Sequence, residues 1–453
     1  MKTLASLAHD LEAGVTTSRR LVEECLARIA DPQGEGARTF IKVHVEPGRA
    51  AADYYDRLRA HGLTLSPWAG IPVSVKDLFD MAGDVTTAGS QLLRGQPPAN
   101  EDCPAVARLR AAGFIPIGRT NMTEFAYSGL GLNPHYGTPL NPFERQRRRA
   151  PGGSSSGAAI SITEEMSYGA LGTDTGGSTR IPAAFCGIAG FKPTARRVPA
   201  SGVFPLSQSL DSVGPLAASV ACCAALDAIL ANESTAMLDV VGLRGRRFAI
   251  ATHYVLDALE PHVASSFERT IRELRAAGAV IDEIPLAELD ELPDINRLGG
   301  FAGAEAYALH RERLETQQDR FDPRVSMRIL RAREQSAADY IDLIRARADL
   351  QSRVDERLAE YDAVLMPTTP IIAPLLQELE SDEAYVRINA LALHNTAVTN
   401  FLDRCAISVP CQEAGTAPVG LMLMGPHGGD RRMLAIAAAV EALVAPRAAR
   451  GSP

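Results

Sequence analysis

A glycine-rich stretch, Gly172-Thr-Asp-Thr-Gly-Gly-Ser178-Thr-Arg180, presents one serine hydroxyl beside a row of backbone N–H groups. Gly176 and Gly177 lack Cβ atoms, so the chain can turn sharply there and aim several N–H groups at one point. Such an array suits the oxyanion formed when a serine attacks a carbonyl, and one donor is worth about 3 kcal/mol in the transition state. The same residues also read as an ordinary Gly-Gly turn. They approach a phosphate loop as well, but Ser178 stands where the phosphate-binding lysine belongs. A serine nucleophile needs a base.

Two upstream segments bear on that need. Lys76 closes the apolar run Ile71-Pro-Val-Ser-Val, a β-branched stretch typical of a strand covered on both faces. To act as a base it must be neutral near pH 7, a fall of about 3 pKa units that burial can supply. Asp77 would face the other way if the strand continues, because neighbouring side chains alternate. A lysine in this position also reads as a snorkelling surface charge.

The second segment, Gly152-Gly-Ser154-Ser155-Ser156-Gly157, has the composition of a flexible linker, yet Ala158-Ala-Ile-Ser-Ile162 follows at once. It also spells the nucleophile elbow of α/β-hydrolases, with Ser155 at its centre, which would make the chain an esterase. That reading requires a downstream acid and histidine. Histidines follow at 253, 262, 310, 394 and 427, and His427 in Pro-His-Gly-Gly reads as a surface turn.

These residues must be held by something. Residues 1–60 pattern as helices: Leu4, Leu7, Ala8 and Leu11 share a face, and Thr17-Ser18 can cap a helix bearing Leu21, Val22, Cys25, Leu26 and Ile29. From about 70 to 250 short apolar runs alternate with glycine and proline. Ile71–Val75, Ile115–Ile117, Tyr168–Thr173 and Phe248–Ala251 read as strands, with helices such as Asp102–Ala112 and Ser219–Leu230 between them. Ala363–Met366 and Ala406–Pro410 suggest that the sheet resumes late, whereas 255–360 reads as long charged helices, for example Asp339–Ala359. Alternation of this kind predicts an α/β fold, and no repeat or linker divides residues 1–453, so one domain is expected. Within it, 1–60 would be N-terminal helices, about 65–220 the core carrying the chemistry, and 255–360 a helical side of the substrate pocket.

Composition narrows the class. The chain has 453 residues, a net charge of −8 and 22% charged residues, which gives no electrostatic footprint for nucleic acid. The local cluster Arg145, Arg147, Arg148 and Arg149 reads as a solvated loop or an anion site. Seven cysteines without a C-x-x-C pair argue against zinc ribbons and disulfide frameworks and fit a reducing cytoplasm. The N-terminus meets Asp10 too soon for a signal peptide. The most apolar helix candidate, Leu216 to Leu226, is cut by Asp227 and is too short to span a bilayer.

Taken together, Ile-Pro-Val-Ser-Val-Lys76-Asp, Pro151-Gly-Gly-Ser-Ser-Ser-Gly157 and Gly172-Thr-Asp-Thr-Gly-Gly-Ser178 resemble, in order, the signature segments of the amidase signature family. The likeness continues through Gly190-Phe-Lys-Pro-Thr194, Ser209-Leu-Asp-Ser-Val-Gly-Pro215, Met366-Pro-Thr-Thr-Pro370 and Pro418-Val-Gly-Leu421. It implies one large α/β domain, with a central mixed sheet covered by helices on both faces. It also implies a Ser-Ser-Lys triad for hydrolysing linear amides: Ser178 as nucleophile, Ser154 bridging beside a cis peptide bond, and Lys76 as terminal base. The family spacing of 24 residues before the nucleophile selects Ser154 within its cluster. Backbone N–H groups of Thr175, Gly176, Gly177 and Ser178 would form the oxyanion hole. Asp174 and Arg180 would brace the turn. The resemblance implies no metal or organic cofactor and is compatible with a homodimer.

Two members of that family are candidates: a free-standing amidase, and the glutaminase subunit of a tRNA-dependent amidotransferase. The latter carries an aspartate near its C-terminus that helps hold glutamine. In the corresponding stretch, Leu393-His-Asn-Thr-Ala-Val-Thr-Asn-Phe-Leu-Asp403, Leu393 replaces that aspartate and Asp403 replaces a glycine, which favours the free-standing enzyme. Its pocket is expected to involve Met122, Phe125, Tyr127 and residues of 300–335. Apolar lining would suit an aryl or alkyl amide, and the arginine cluster a carboxylated or carbamoyl one. A catalytically silent binding protein is the remaining alternative.

Overall fold

The computed structural model describes residues 1–233, 238–239 and 241–444, so the expected domain span to 453 runs past the described chain. Eleven strands form one sheet: β1 (Phe40–Val43), β2 (Pro72–Lys76), β3 (Ile115–Thr120), β4 (Ala170–Asp174), β5 (Ala189–Lys192), β6 (Ser212–Ala217), β7 (Arg247–Ala251), β8 (Val280–Ile284), β9 (Ala363–Pro367), β10 (Ala406–Pro410) and β11 (Gly420–Met424). Their order across the sheet is β1-β3-β2-β4-β6-β5-β10-β11-β9-β7-β8. β3, β2 and β4 run parallel, as do β9, β7 and β8, while the strands between pair antiparallel, so the sheet is mixed.

Alternation within the strands shows that both faces are covered. In β9, Ala363 and Leu365 belong to one apolar cluster and Val364 and Met366 to another; in β11, Leu421 and Leu423 part from Met422 and Met424 in the same way. Period-two side chains that divide between two clusters require packing on each side of the sheet. The helices Val220–Leu230 and Asp430–Val444 pack together, while Arg180–Cys186 packs against β5, β10 and β11.

The N-terminal helices Leu4–Glu12 and Ser18–Ala30 form as the apolar spacing predicts, and the Thr17 hydroxyl accepts from Arg20 N–H at 3.1 Å. Strand β1 follows them, so residues 1–60 are not wholly helical. Strand β8 likewise interrupts the helical stretch 255–360. Leu216 belongs to β6 and not to a helix, because Ser219 caps a helix that begins at Val220. Among the described residues, no helix is long and apolar enough to cross a membrane.

Candidate active site

Three loops converge on the ends of the parallel strands, where open α/β sheets present their ligand sites. Lys76 is the last residue of β2, and β4 beside it ends at Asp174, four residues before Ser178. Ser154 lies just before the buried helix Ser156–Thr163, which packs on β2 and β4. The Gly153–Ser154 peptide bond is cis. Lys76 Nζ lies 2.8 Å from Ser154 Oγ and 2.9 Å from Thr173 Oγ1, donating to both as drawn.

Lys76 is fully enclosed, and burial pushes its pKa down to about 7, although the carboxylates of Asp174 and Asp211 pull it upward. Asp77 turns away: Arg119 Nε donates to its Oδ1 at 2.6 Å and Gly89 N–H to its Oδ2 at 3.1 Å.

The turn after β4 is built around Asp174. Its carboxylate accepts from Gly177 N–H (2.8 Å), Thr179 N–H (3.1 Å), Thr179 Oγ1 (2.9 Å) and Asn400 Nδ2 (2.9 Å). Arg180 adds two bonds to the same carboxylate and reaches Asn400 Oδ1 (2.7 Å) and Thr396 O (3.0 Å) on the helix Asp382–Phe401. Gly177 sits at φ 136°, and a Cβ there would approach Thr396 Oγ1 to 2.2 Å, so only glycine fits. Because the Gly177 N–H serves Asp174, the remaining oxyanion donors of the expected set are Thr175, Gly176 and Ser178. None of these three N–H groups meets an acceptor among the described residues.

Ser178, Thr175 and Gly176 border a cavity of about 330 Å³. Its apolar wall includes Leu206, Leu210, Phe301, Leu393, Val398 and Phe401, with the rings of Tyr127 and Tyr254. Of the pocket residues expected from the sequence, Tyr127 lines the cavity, as do Gly300–Ala302 and Arg328 from the 300–335 stretch. Met122 and Phe125 do not. Met122 is buried in the core, and Phe125 packs on Phe204, Phe321 and His310 with ring centres 5.5, 5.5 and 4.2 Å away. The reason is local: Phe125 and Ala126 adopt φ of 51° and 60°, which redirects the chain before Tyr127.

Arg328 is the one charged side chain among the described residues of the cavity wall. Its guanidinium lies 4.4 Å from the Tyr127 ring centre, and its Nη1 donates to Tyr127 O at 3.0 Å. The arginine cluster lies elsewhere: Arg145 pairs with Glu164, and Arg147 and Arg149 pair with Glu144.

The nucleophile-elbow alternative finds no partners. Ser155 is buried, its hydroxyl directed at Thr173 O (3.5 Å), and it is absent from the cavity wall. His253 pairs with Asp290, His262 with Ala417 O, His394 with Tyr254 O and His427 with Asp403 O, while His310 sits among phenylalanines.

A family model, Amidase, matches residues 20–434. The chain belongs to the amidase family. It is 36% identical over 451 residues to 2-amino-5-chloromuconic acid deaminase of Comamonas testosteroni, covering 98% of this chain and 96% of that one. It is 33% identical to a glutamyl-tRNA(Gln) amidotransferase component, the glutaminase-type polypeptide of Chloroflexus aggregans (strain MD-66 / DSM 9485), over 95% of this chain and 94% of the relative. A solved structure described as a crystal structure of amidase superposes with a TM-score of 0.88 at 32% identity, covering 98% and 100% of the two chains. This amidase therefore has relatives of both kinds foreseen from its motifs. Leu393 lines its cavity, and Asp403 adopts φ 50°, a left-handed conformation that explains a glycine in the corresponding position of the amidotransferase relatives.

Several pocket residues carried no sequence signal. Thr173 is one β4 residue among five, Tyr254 follows an ordinary strand, and Arg328 is one of several arginines on and after the helix Pro323–Leu330. Only the fold turns these three toward the chemistry.

Proposed function

We propose that this amidase hydrolyses a linear carboxylic amide to acid plus ammonia or amine, through Ser178, Ser154 and Lys76. The observation that carries the reading is the 2.8 Å contact between Ser154 Oγ and a buried Lys76 whose pKa lies near 7. In its neutral form the amine accepts the Ser154 proton as Ser154 takes that of Ser178, and Ser178 Oγ attacks the amide carbonyl. The oxyanion forms against the N–H groups of Thr175, Gly176 and Ser178. The relay then runs backward to protonate the leaving nitrogen, and water releases the acid from the acyl-enzyme.

We further propose that the substrate bears a carboxylate. No acidic side chain lines the described cavity, and Arg328 supplies its one charge. A planar guanidinium, already stacked on Tyr127, is suited to bidentate carboxylate binding. The Comamonas relative is named for acting on an acid, which agrees with such a pocket. Glutamine is disfavoured, because Leu393 offers its α-ammonium no partner. Seven unpaired, buried thiols support a reducing, cytoplasmic setting.

The test combines labelling by a fluorophosphonate probe with turnover of aliphatic, aromatic, carbamoyl and carboxylated amides, glutamine included. Ser178→Ala is expected to abolish both, and Ser155→Ala to retain both. Labelling that survives in Ser178→Ala removes the reading.

A further inference from the structure

Asp211, the residue preceding β6, is enclosed beside the catalytic turn and is not one of the three catalytic groups. Its Oδ1 accepts from Thr175 Oγ1 at 2.5 Å. Its Oδ2 accepts from the N–H groups of Leu206 (3.0 Å) and Ser207 (3.1 Å). One carboxylate thus joins the first residue of the oxyanion turn to the strap 205–211, whose Leu206 and Leu210 form part of the cavity wall. The strap is fastened from its other side by Glu305 on the helix Gly300–Gln317, which accepts from Ser207 Oγ (2.8 Å), Ser209 N–H (3.1 Å) and Tyr340 Oη (2.6 Å).

Such a carboxylate is costly to bury unless its bonds are used, and these three bonds go to the catalytic turn and to the strap beside it. We infer that Asp211 is a positioning residue for amide hydrolysis: through the Thr175 hydroxyl it fixes the oxyanion turn, and its charge acts on Lys76 across the same interior. The inference rests on the Ser178–Ser154–Lys76 reading. The two effects are separable. Thr175 Oγ1 to carboxylate is a charge-assisted bond, among the stronger kinds available to a neutral donor, and it sets the rotamer and hence the N–H direction of Thr175. Small misplacements of an oxyanion donor reduce turnover far more than binding.

The second effect is electrostatic. The charged groups around Lys76 are Asp174, itself paired with Arg180, and Asp211; Asp77 is engaged by Arg119, and Asp211 in turn faces Glu305. Removing the negative charge at 211 disfavours protonated Lys76, so the free base persists to lower pH.

The experiment measures kcat, KM and the pH profile for Thr175→Val, Thr175→Ser, Asp211→Asn and the double variant Asp211→Asn/Thr175→Val, with melting temperatures alongside. Thr175→Val is expected to lower kcat roughly 10- to 100-fold with KM changed less than about 3-fold. Thr175→Ser, which keeps the hydroxyl, loses less. Asp211→Asn lowers kcat similarly and moves the acid limb of kcat/KM to lower pH, and the double variant is no worse than the poorer single one. A wild-type kcat in Thr175→Val, fully additive losses, or an Asp211→Asn variant that melts lower with an unmoved acid limb each overturns the inference. Ser178→Ala in the same series separates the two levels: if it stays active the triad reading itself fails, whereas a dead Ser178→Ala beside an unaffected Thr175→Val sinks only the role of Asp211.

Discussion

Arg180 and Asp174 meet as two planar forks, Nε to Oδ2 at 3.0 Å and Nη2 to Oδ1 at 2.8 Å, with neither side chain exposed to solvent. Burial alone would raise the Asp174 carboxyl, but the Arg180 guanidinium and Asn400 outweigh it and hold the group well below its ordinary range. The pair pins the nucleophile turn to the helix Asp382–Phe401. Arg180→Met leaves a buried carboxylate uncompensated and is expected to cost about 3–5 kcal/mol. Without Arg180 the Asp174 pKa rises above its unfolded value, so this deficit shrinks as pH is lowered toward 5. Urea denaturation at pH 8 and pH 5 checks both statements, and a deficit independent of pH contradicts the second.

Lys76 fixes the pH dependence of catalysis. Its base form exists above its folded pKa, which burial sets at about 7. On the acid side, kcat/KM is therefore expected to climb tenfold per pH unit and to level off above about 7.5. Profiles taken on a neutral amide isolate the enzyme's own titration. A limb centred near pH 10, the ordinary lysine range, would mean that the amine is not the base.

The same depression makes Lys76 a stability cost. The unfolded chain protonates lysine up to about pH 10.4, whereas the folded chain gives the proton up near 7. Folding is therefore opposed by the full penalty below pH 7, and the penalty fades as pH rises from 7 toward 10.4. A shift of this size corresponds to about 4–5 kcal/mol, and leaving the Ser154 and Thr173 hydroxyls without their partner returns about 1–3 kcal/mol of it. Lys76→Met is expected to be inactive yet more stable than the parent at pH 7, by roughly 1–4 kcal/mol, with the gain smaller at pH 9.5. A variant less stable at pH 7 would falsify the account of a strained, desolvated amine.

Motifs and packing were not equally legible in the sequence. Lys76, Ser154 and Ser178 stand in strings whose residue types are tied to a local backbone, so each could be named before any fold was known. Strands β2, β3, β4, β7, β9 and β10 announced themselves as apolar runs. Strand β6 did not, because Gly214 and Pro215 are residues that argue against a strand interior, and β8 carries Asp282 and Glu283. The pocket wall was the least legible part. Whether Phe125 or Tyr127 faces the substrate depends on two consecutive left-handed residues, and Tyr254 is aimed by a φ of 67°. Such angles leave no mark in composition when the residues are not glycine.

Arg328 and Leu393 decide what this cavity accepts. An arginine that meets a substrate carboxylate makes charge-assisted hydrogen bonds worth about 1.5–3 kcal/mol, or roughly 10- to 100-fold in binding. Arg328→Met is expected to raise KM by that factor for a carboxylated amide and to leave a neutral amide of equal length within about 3-fold. Arg328→Lys should recover only part of the loss, since an ammonium cannot reproduce the planar fork or the stack on Tyr127. Leu393→Asp places an acid on the wall that has none, and with Arg328 intact it gives glutamine a partner for each of its α charges. Glutamine turnover should therefore appear in Leu393→Asp and vanish again in the double variant with Arg328→Met. If Arg328→Met weakens neutral and carboxylated amides alike, Arg328 serves only to hold Tyr127 in place, and the anionic substrate class is wrong.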